Sequence, residues 1–97
     1  MLAVEDVNTI GTAIGDPTRL QILLVALRQQ GSSVGEIVRS VGYATSTVVN
    51  HLTKLERAGL VERRARGRRT IVLARVDRWR ALTQACEMCA DPSWRAR

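Results

Sequence analysis

The sequence predicts a mainly α-helical fold with one small β-hairpin, in the order α-α-α-α-β-β-α. Three observations predict it. Apolar residues recur at helical spacing through most of the chain, the spacing changes after Leu60, and glycines stand where the predicted helices end. The length of 97 residues is that of one domain, so we expect a single domain over residues 1–97.

The first two helices are predicted from apolar spacing and from a capping residue. Residues 3–14 carry one apolar face, formed by Val4, Val7, Ile10 and Ile14. Asp16 suits an N-cap and Pro17 the first position of a second helix, which we expect to reach about Gln30 before Gly31. Its predicted buried side chains are Leu20, Leu23, Leu24 and Leu27.

Capping residues also indicate the third and the last helix. Ser33 and Glu36 have the spacing of a capping box, and the short helix that they begin is expected to end near Gly42. Asp77 is expected to cap the last helix, which Pro92 prevents from continuing. The predicted inward stripe of this helix is Trp79, Leu82, Cys86 and Cys89.

A fourth helix follows the third after a short turn. Thr45 or Ser46 is expected to cap it, and it is expected to run to Ala58 and end at Gly59. Its predicted inward positions are Val48, Leu52 and Leu55. Two helices joined by a turn of about three or four residues are typical of a helix-turn-helix.

The outer side of the fourth helix carries residue types that suit the major groove of duplex DNA. Small hydroxyl side chains at its start can bind phosphates or bases, Asn50 can pair with adenine, and Val49 can meet a thymine methyl. Lys54 and Arg57 are placed for phosphates, and His51 is expected to be partly buried, bonded to backbone or phosphate. The candidate DNA contacts on this helix are Thr45, Ser46, Thr47, Val49, Asn50, His51 and Lys54.

After Leu60 the pattern is that of a β-hairpin. Residues 60–63 and 70–73 flank a predicted turn over residues 65–68. Five arginines within seven residues would repel one another on a bare surface, so we expect a wing that straddles the DNA backbone, with Arg66 or Arg68 entering a minor groove. The candidate DNA contacts here are Arg64, Arg66, Arg68 and Arg69.

Composition restricts the class of protein. The net charge is +6 and 14 of the 15 basic residues are arginine, which favours a nucleic-acid partner because guanidinium groups bind phosphate and guanine bidentately. No apolar run approaches the roughly 20 residues of a membrane span, and the start of the chain lacks the pattern of a signal peptide, so we expect a cytoplasmic protein. Without a glycine-rich phosphate loop, a spaced carboxylate pair or a second histidine, we expect no enzyme.

The helical and hairpin segments together resemble the ArsR/SmtB family of winged-helix repressors. The resemblance covers roughly residues 5–90 and is carried by residues 16–23 (DPTRLQIL), residues 46–61 (STVVNHLTKLERAGLV) and residues 63–68 of the hairpin. It implies a homodimer joined through residues 5–30 and 77–90, which binds an inverted-repeat operator in double-stranded DNA. It also implies that an effector weakens DNA binding and so relieves repression.

The sequence departs from that family at its thiol box. Many members have Cys-Val-Cys where this chain has Ser33, Val34 and Gly35, and the histidine and carboxylate ligands of zinc-sensing members are missing too. Cys86 and Cys89 remain as candidates for a soft metal or metalloid site or for thiol oxidation, or they pack as small apolar residues in a dimer seam. Two other functions stay open: a regulator without an effector, and a winged-helix module for protein contacts, which would expose an apolar fourth helix.

Overall fold

The computed structural model describes the backbone of residues 4–90 and the side chains of residues 5–84. Within these residues the fold is mainly helical with a small antiparallel sheet, so the predicted fold class is confirmed. The elements are α1 (Val4–Ile14), α2 (Pro17–Arg28), β1 (Ser32–Ser33), α3 (Val34–Val41), α4 (Thr45–Arg57), β2 (Val61–Arg66), β3 (Arg69–Ala74) and α5 (Val76–Ala90).

One apolar core joins the helices to the sheet. The predicted inward residues of α4 are all fully buried, namely Val48, Leu52 and Leu55. They pack with Ile10 of α1, Ile37 of α3 and Val72 of β3, and Leu82 of α5 joins the same cluster. The core face of α4 is therefore fixed from several sides, which determines the side that it presents to solvent.

The predicted buried face of α2 is wrong in part. Leu23 is buried as expected, whereas Leu20, Leu24 and Leu27 are only half-buried. The buried positions follow a neighbouring helical stripe, made of Arg19, Ile22, Leu23 and Ala26. Because α2 packs against α1, α3, α4 and β3, its neighbours select the stripe, and large apolar residues on the adjoining stripe become half-covered.

The predicted starts of α2 and α3 are confirmed by their capping geometry. Asp16 accepts N–H hydrogen bonds from Thr18 at 2.8 Å and Arg19 at 3.1 Å, and these bonds, that of Arg19 first, hold the pKa of Asp16 below its ordinary value. Ser33 Oγ accepts from the Glu36 N–H at 3.1 Å. The other half of the box differs, since the Glu36 carboxylate meets the Ser33 hydroxyl at 3.2 Å.

The starts of α4 and α5 differ from the prediction by one residue or more. The N-cap of α4 is Ala44, which has no side-chain acceptor, so Thr45 and Ser46 belong to the first turn. Asp77 likewise lies inside the first turn of α5, where its carboxylate accepts two hydrogen bonds from Arg75 at 3.3 Å. In both cases a residue suited to capping lies just inside the helix.

The sheet has the strand order β1-β3-β2, and all its pairs are antiparallel. Strands β2 and β3 pair from Val61 opposite Ala74 to Arg66 opposite Arg69, which leaves a two-residue loop. The hairpin is therefore longer and its turn tighter than predicted. Gly67 has a φ of 63° while no non-glycine residue described has a positive φ, as in a type II′ turn.

Strand β1 was missed by sequence reasoning. It has only two residues, Ser32 and Ser33, which pair with Val72 and Ile71 of β3. The end of α2 extends the contact with β3: the Gln30 side-chain amide donates to the Ala74 carbonyl at 3.1 Å and accepts from the Ala74 N–H at 3.0 Å. The hairpin is thereby attached to the helical body along the edge formed by β3.

Candidate nucleic-acid interface

The start of α4 presents a polar exposed surface. Thr45, Ser46 and Asn50 are exposed, Thr47 is half-buried, and Val49 keeps 37% of its surface open. Because no side chain caps α4, the N–H groups of its first turn lack an intramolecular acceptor. Such N–H groups, together with the positive end of the helix dipole, can bind an anionic group.

A groove separates the start of α4 from the hairpin. Its volume is about 510 Å³, and it joins three parts of the fold: the beginning of α3, one side of α4 and the tip of the hairpin. It is lined by Ser33, Val34, Gly35, Thr45, Val49, Arg63, Arg68, Arg69 and Thr70. Two of the predicted contacts on α4 and two on the hairpin therefore lie around one groove, which we call the wing groove.

Arg63 connects the hairpin to α4. Its Nη2 atom lies 2.9 Å from Glu56 Oε1 and donates to Thr53 Oγ1 at 3.3 Å, and its backbone N–H donates to Glu56 Oε2 at 2.9 Å. The side-chain hydrogen bond from Arg63 is the first cause that holds the pKa of Glu56 below its ordinary value. Sequence reasoning missed this role, because the partners lie in different elements on either side of the Gly59 turn.

The other hairpin arginines differ in their partners, and Arg68 lies in the turn. Arg64 forms an exposed ion pair with Glu62 at 2.9 Å, and Arg69 lies 3.8 Å from Glu36. Arg66 and Arg68 form no ion pair with a carboxylate in the part of the chain that the structure describes. Arg68 lines the wing groove, whereas Arg66 lines a second cavity of about 340 Å³ with Glu36 and Arg69.

His51 faces the protein rather than solvent. It is half-buried, as expected, and its Nδ1 atom accepts a hydrogen bond from Arg19 Nε at 3.3 Å. The neutral ring that accepts at Nδ1 carries its proton on Nε2. The Arg19 guanidinium also donates to the Ala13 carbonyl at 2.9 Å, so the observed partner of His51 is a side chain that links α1, α2 and α4. Lys54 is exposed on the same side of α4.

The predicted thiol site cannot be described at the level of side chains. Cys86 and Cys89 belong to the backbone of α5, and their side chains lie outside the described residues. Among the side chains that are described, no group of three or more His, Cys, Asp or Glu is arranged to hold a metal ion. Between residues 4 and 90, none of the helices has the length and apolar character needed to cross a membrane.

A family model matches the part of the chain that contains this surface. The model is described as bacterial regulatory protein, arsR family, and it matches residues 16–63, from the N-cap of α2 to the arginine that joins β2 to α4. No curated protein sequence matches the chain.

Solved structures share the fold over most of the chain. An ArsR-like transcriptional regulator from Rhodococcus sp. RHA1 has 22% identity and a TM-score of 0.81, covering 95% of this chain and 86% of its own. The homodimeric winged helix-turn-helix DNA-binding domain of Mb0332 from Mycobacterium bovis has 27% identity and a TM-score of 0.73. The match covers 97% of this chain and 86% of that domain. Rv0081 from M. tuberculosis has 30% identity and a TM-score of 0.65, and the match covers 89% of this chain and 88% of that chain.

Proposed function

The chain belongs to the ArsR family of bacterial regulatory proteins, and from that membership we propose that it represses transcription as a homodimer bound to an inverted repeat in duplex DNA. It is a DNA-binding transcriptional regulator of the winged helix-turn-helix type. The observation that carries the proposal is the wing groove, which brings the exposed start of α4 next to the arginine tip of the hairpin. A regulator of this kind works where the chromosome is, so the proposed location is the cytoplasm.

In this proposal α4 is the recognition helix. Its exposed Ser46 and Asn50 meet base edges in the major groove, and Val49 lies where it can contact a thymine methyl. The uncapped N–H groups at Thr45 and its neighbours bind a backbone phosphate. A polar exposed face of this kind also argues against the use of α4 as an apolar docking helix for another protein.

The hairpin acts as the wing and supplies contacts with the backbone. Arg66 ends β2 and Arg68 lies in the turn, and neither has a carboxylate partner among the described residues, so their charge is available for phosphates. Arg64 and Arg69 are proposed as further contacts, and each must share its charge with Glu62 or Glu36. Arg63 has a different role, because its bonds to Glu56 and Thr53 hold the wing against the recognition helix.

The dimer is proposed to form through residues 5–30 and 77–90. Val7 of α1 and Trp79 of α5 are packed only partly against the core, so a partner subunit can cover what remains exposed. The similar domain of Mb0332 is homodimeric. Two-fold symmetry then places the recognition helices about one DNA turn, roughly 34 Å, apart and requires an inverted repeat.

Release of the DNA is proposed to depend on Cys86 and Cys89, through a soft metal or through oxidation of the thiols. The two residues are three apart in the backbone of helix α5, a spacing that suits chelation better than a disulfide within one helix. A Cys86→Ser/Cys89→Ser variant is expected to keep its DNA affinity and to lose release by a soft metal or peroxide. A variant that still responds would identify the cysteines as packing residues.

The test of the main proposal is binding to the promoter duplex next to the protein's own gene, compared with a shuffled duplex. We expect tighter binding to the promoter and a steep fall in affinity with salt, with a slope of about −0.9 for each phosphate neutralised. The Ser46→Ala/Asn50→Ala variant should lose most of the preference for the promoter over the shuffled duplex, and the salt dependence of its affinity should be unchanged. Arg66→Ala/Arg68→Ala should weaken both duplexes and make the slope shallower by about 1–2 per protomer.

The matched control for the wing variant is Arg39→Ala/Arg75→Ala. It removes the same charge from two exposed arginines that lie outside the recognition helix, the wing and the segments proposed for the dimer. It should leave the preference for the promoter intact and change the salt slope less than the wing variant does. Equal affinity for both duplexes in the unmodified protein, or a slope near zero, would refute the proposed function.

A further inference from the structure

Arg19 is a buried cation without an ionic partner in the described part of the chain. Only 8% of its surface is exposed, and no described carboxylate comes within 4.0 Å of its guanidinium. Its bonds to His51 and to the Ala13 carbonyl are made by Nε and Nη1. A guanidinium has five N–H donors, so Nη2 has donors left over. An unpaired buried charge is costly, so a ligand that supplied negative charge here would stabilise the fold.

The remaining donors of Arg19 face an open cleft between α1 and α4. No described buried polar atom is without a hydrogen-bond partner, so Nη2 must reach solvent. Arg19 lines a cleft of about 190 Å³ at this point, which we call the α1–α4 cleft. Its other lining residues are Thr9, Thr12, Ala13, Lys54, Arg57 and Ala58.

Three cations converge on the α1–α4 cleft. Lys54 and Arg57 lie three residues apart on α4, both are exposed, and neither forms an ion pair among the described residues. The nearby carboxylates are engaged elsewhere: Asp16 accepts main-chain N–H groups at the start of α2, and Glu56 is bonded to Arg63 on the wing side of α4. The charge of Asp16 acts on Arg19 through space, but no described carboxylate lines the cleft itself, so the three cations around it favour an anion.

We propose that the α1–α4 cleft binds a phosphate group. Arginine and lysine are the residues that bind phosphate oxygens, and a partly buried guanidinium holds such an anion more strongly than an exposed one does. The cleft is smaller than the roughly 300–1,000 Å³ of sites for drug-sized ligands, so it suits one phosphate group rather than a whole large metabolite. The group comes from a free phosphate compound or from the DNA backbone, and the second source rests on the proposed function.

The first arm of the experiment uses inorganic phosphate and the DNA-free protein. Phosphate is titrated against chloride at constant ionic strength while the backbone amide resonances are followed by NMR. We expect the resonances around the cleft, in α1 and α4, to shift while those of the hairpin tip stay in place. Binding should be about tenfold weaker in Lys54→Ala/Arg57→Ala and unchanged in the charge-matched control Arg39→Ala/Arg75→Ala. The same spectra report whether each variant is folded.

The second arm measures the salt dependence of DNA binding for the same proteins. If a backbone phosphate occupies the cleft, Lys54→Ala/Arg57→Ala lowers the slope by about 0.9 for each cleft relative to the control. An unchanged slope together with phosphate binding in the first arm identifies a free phosphate compound as the occupant. A shallower slope together with phosphate binding in the first arm identifies the DNA backbone as the occupant, whereas a shallower slope without phosphate binding leaves Lys54 and Arg57 as direct DNA contacts and counts against the cleft.

Arg19 itself is left unchanged in these variants, because its bonds to His51 and Ala13 hold α1 and α4 together. The proposal is overturned if the double variant matches the control in both arms. That result would leave the proposed function untouched, since promoter binding is measured in the same assay. Conversely, phosphate binding in the cleft of a protein that shows no affinity for DNA would refute the proposed function and support the cleft.

Discussion

At the scale of single residues, Glu56 determines how the wing stands against the recognition helix. Its carboxylate accepts hydrogen bonds from both the main chain and the side chain of Arg63, at 2.9 Å each. A carboxylate that accepts charge-assisted bonds is stabilised in its ionised form, and the pKa of Glu56 is accordingly lowered. The ion pair between Glu56 and Arg63 thus makes the packing of the hairpin against α4 depend on pH.

Replacing Glu56 by glutamine should make stability less dependent on pH. A carboxyl group whose pKa is lowered by folding contributes stability above its unfolded pKa, and this contribution is lost as pH falls through the folded value. The ordinary value is 4.5, so Glu56→Gln should lower the free energy of unfolding by about 0.5–1 kcal/mol near pH 7 and by much less near pH 3.5. Urea unfolding at the two pH values measures the difference.

The matched control for this prediction is Glu62→Gln. Glu62 pairs with Arg64, and the side chain of Arg64 is 61% exposed against 24% for Arg63, so we expect an effect below about 0.3 kcal/mol. The interpretation of Glu56 would be contradicted by a destabilisation that stays the same at both pH values.

Arg19 gives a physical reason for part of the string that carries the family resemblance. In the run Asp16-Pro17-Thr18-Arg19, the aspartate caps α2, the proline occupies its first position, and the arginine turns inward to bond α1 and α4. The first two roles follow from capping rules and could be predicted. The third depends on the position of His51, 32 residues later in the chain, and no local pattern indicates it.

At the scale of elements, local chemistry was sufficient for the C-terminal ends of α3 and α4, but not for the starts of α4 and α5 or for long-range pairing. Gly42 and Gly59 end α3 and α4 with φ values of 78° and 76°, a conformation that glycine adopts readily, so both ends could be predicted. Strand β1 could not, because its two serines have no strand pattern of their own. They become a strand only when β3 passes beside them.

In the candidate interface, too, some features follow from local sequence and others depend on residues that are distant in the chain. The exposed side of α4 could be predicted because the spacing of Val48, Leu52 and Leu55 fixes which residues point away from the core. The sequence could not predict which wing arginines form ion pairs, because Arg69 lies near Glu36 of α3 and Arg64 pairs with Glu62 of its own strand. A run of like charges shows that a surface is basic, whereas the distant carboxylates decide which of the arginines are engaged.

At the scale of the whole molecule, the proposed dimer links stability to concentration. A domain of 97 residues buries a modest share of its surface, so covering α1 and α5 with a partner should add substantially to its stability. The same contact sets the spacing of the recognition helices, because each is attached to α1 through the bonds of Arg19. Folding, dimer formation and the distance between the two recognition helices would then all depend on one interface.

The thermal midpoint should therefore rise as the protein concentration is raised, because folding coupled to dimer formation follows mass action. Thermal unfolding over about a hundredfold range of concentration, together with sedimentation equilibrium, measures this. The expected mass is twice the 10.7 kDa of one chain. A midpoint independent of concentration, with the mass of a single chain throughout, would contradict the dimer.

Strand β2 lies at the edge of the sheet, and this position gives its arginines a second role. Within the described sheet, β2 lies at an edge, so the outer side of its backbone has no neighbouring strand. An edge of this kind can recruit a strand from another copy and start aggregation, and closely spaced like charges oppose that approach. We therefore expect Arg64 and Arg66 to oppose the edge-to-edge association of DNA-free molecules, so the charge proposed to bind DNA would have this second role.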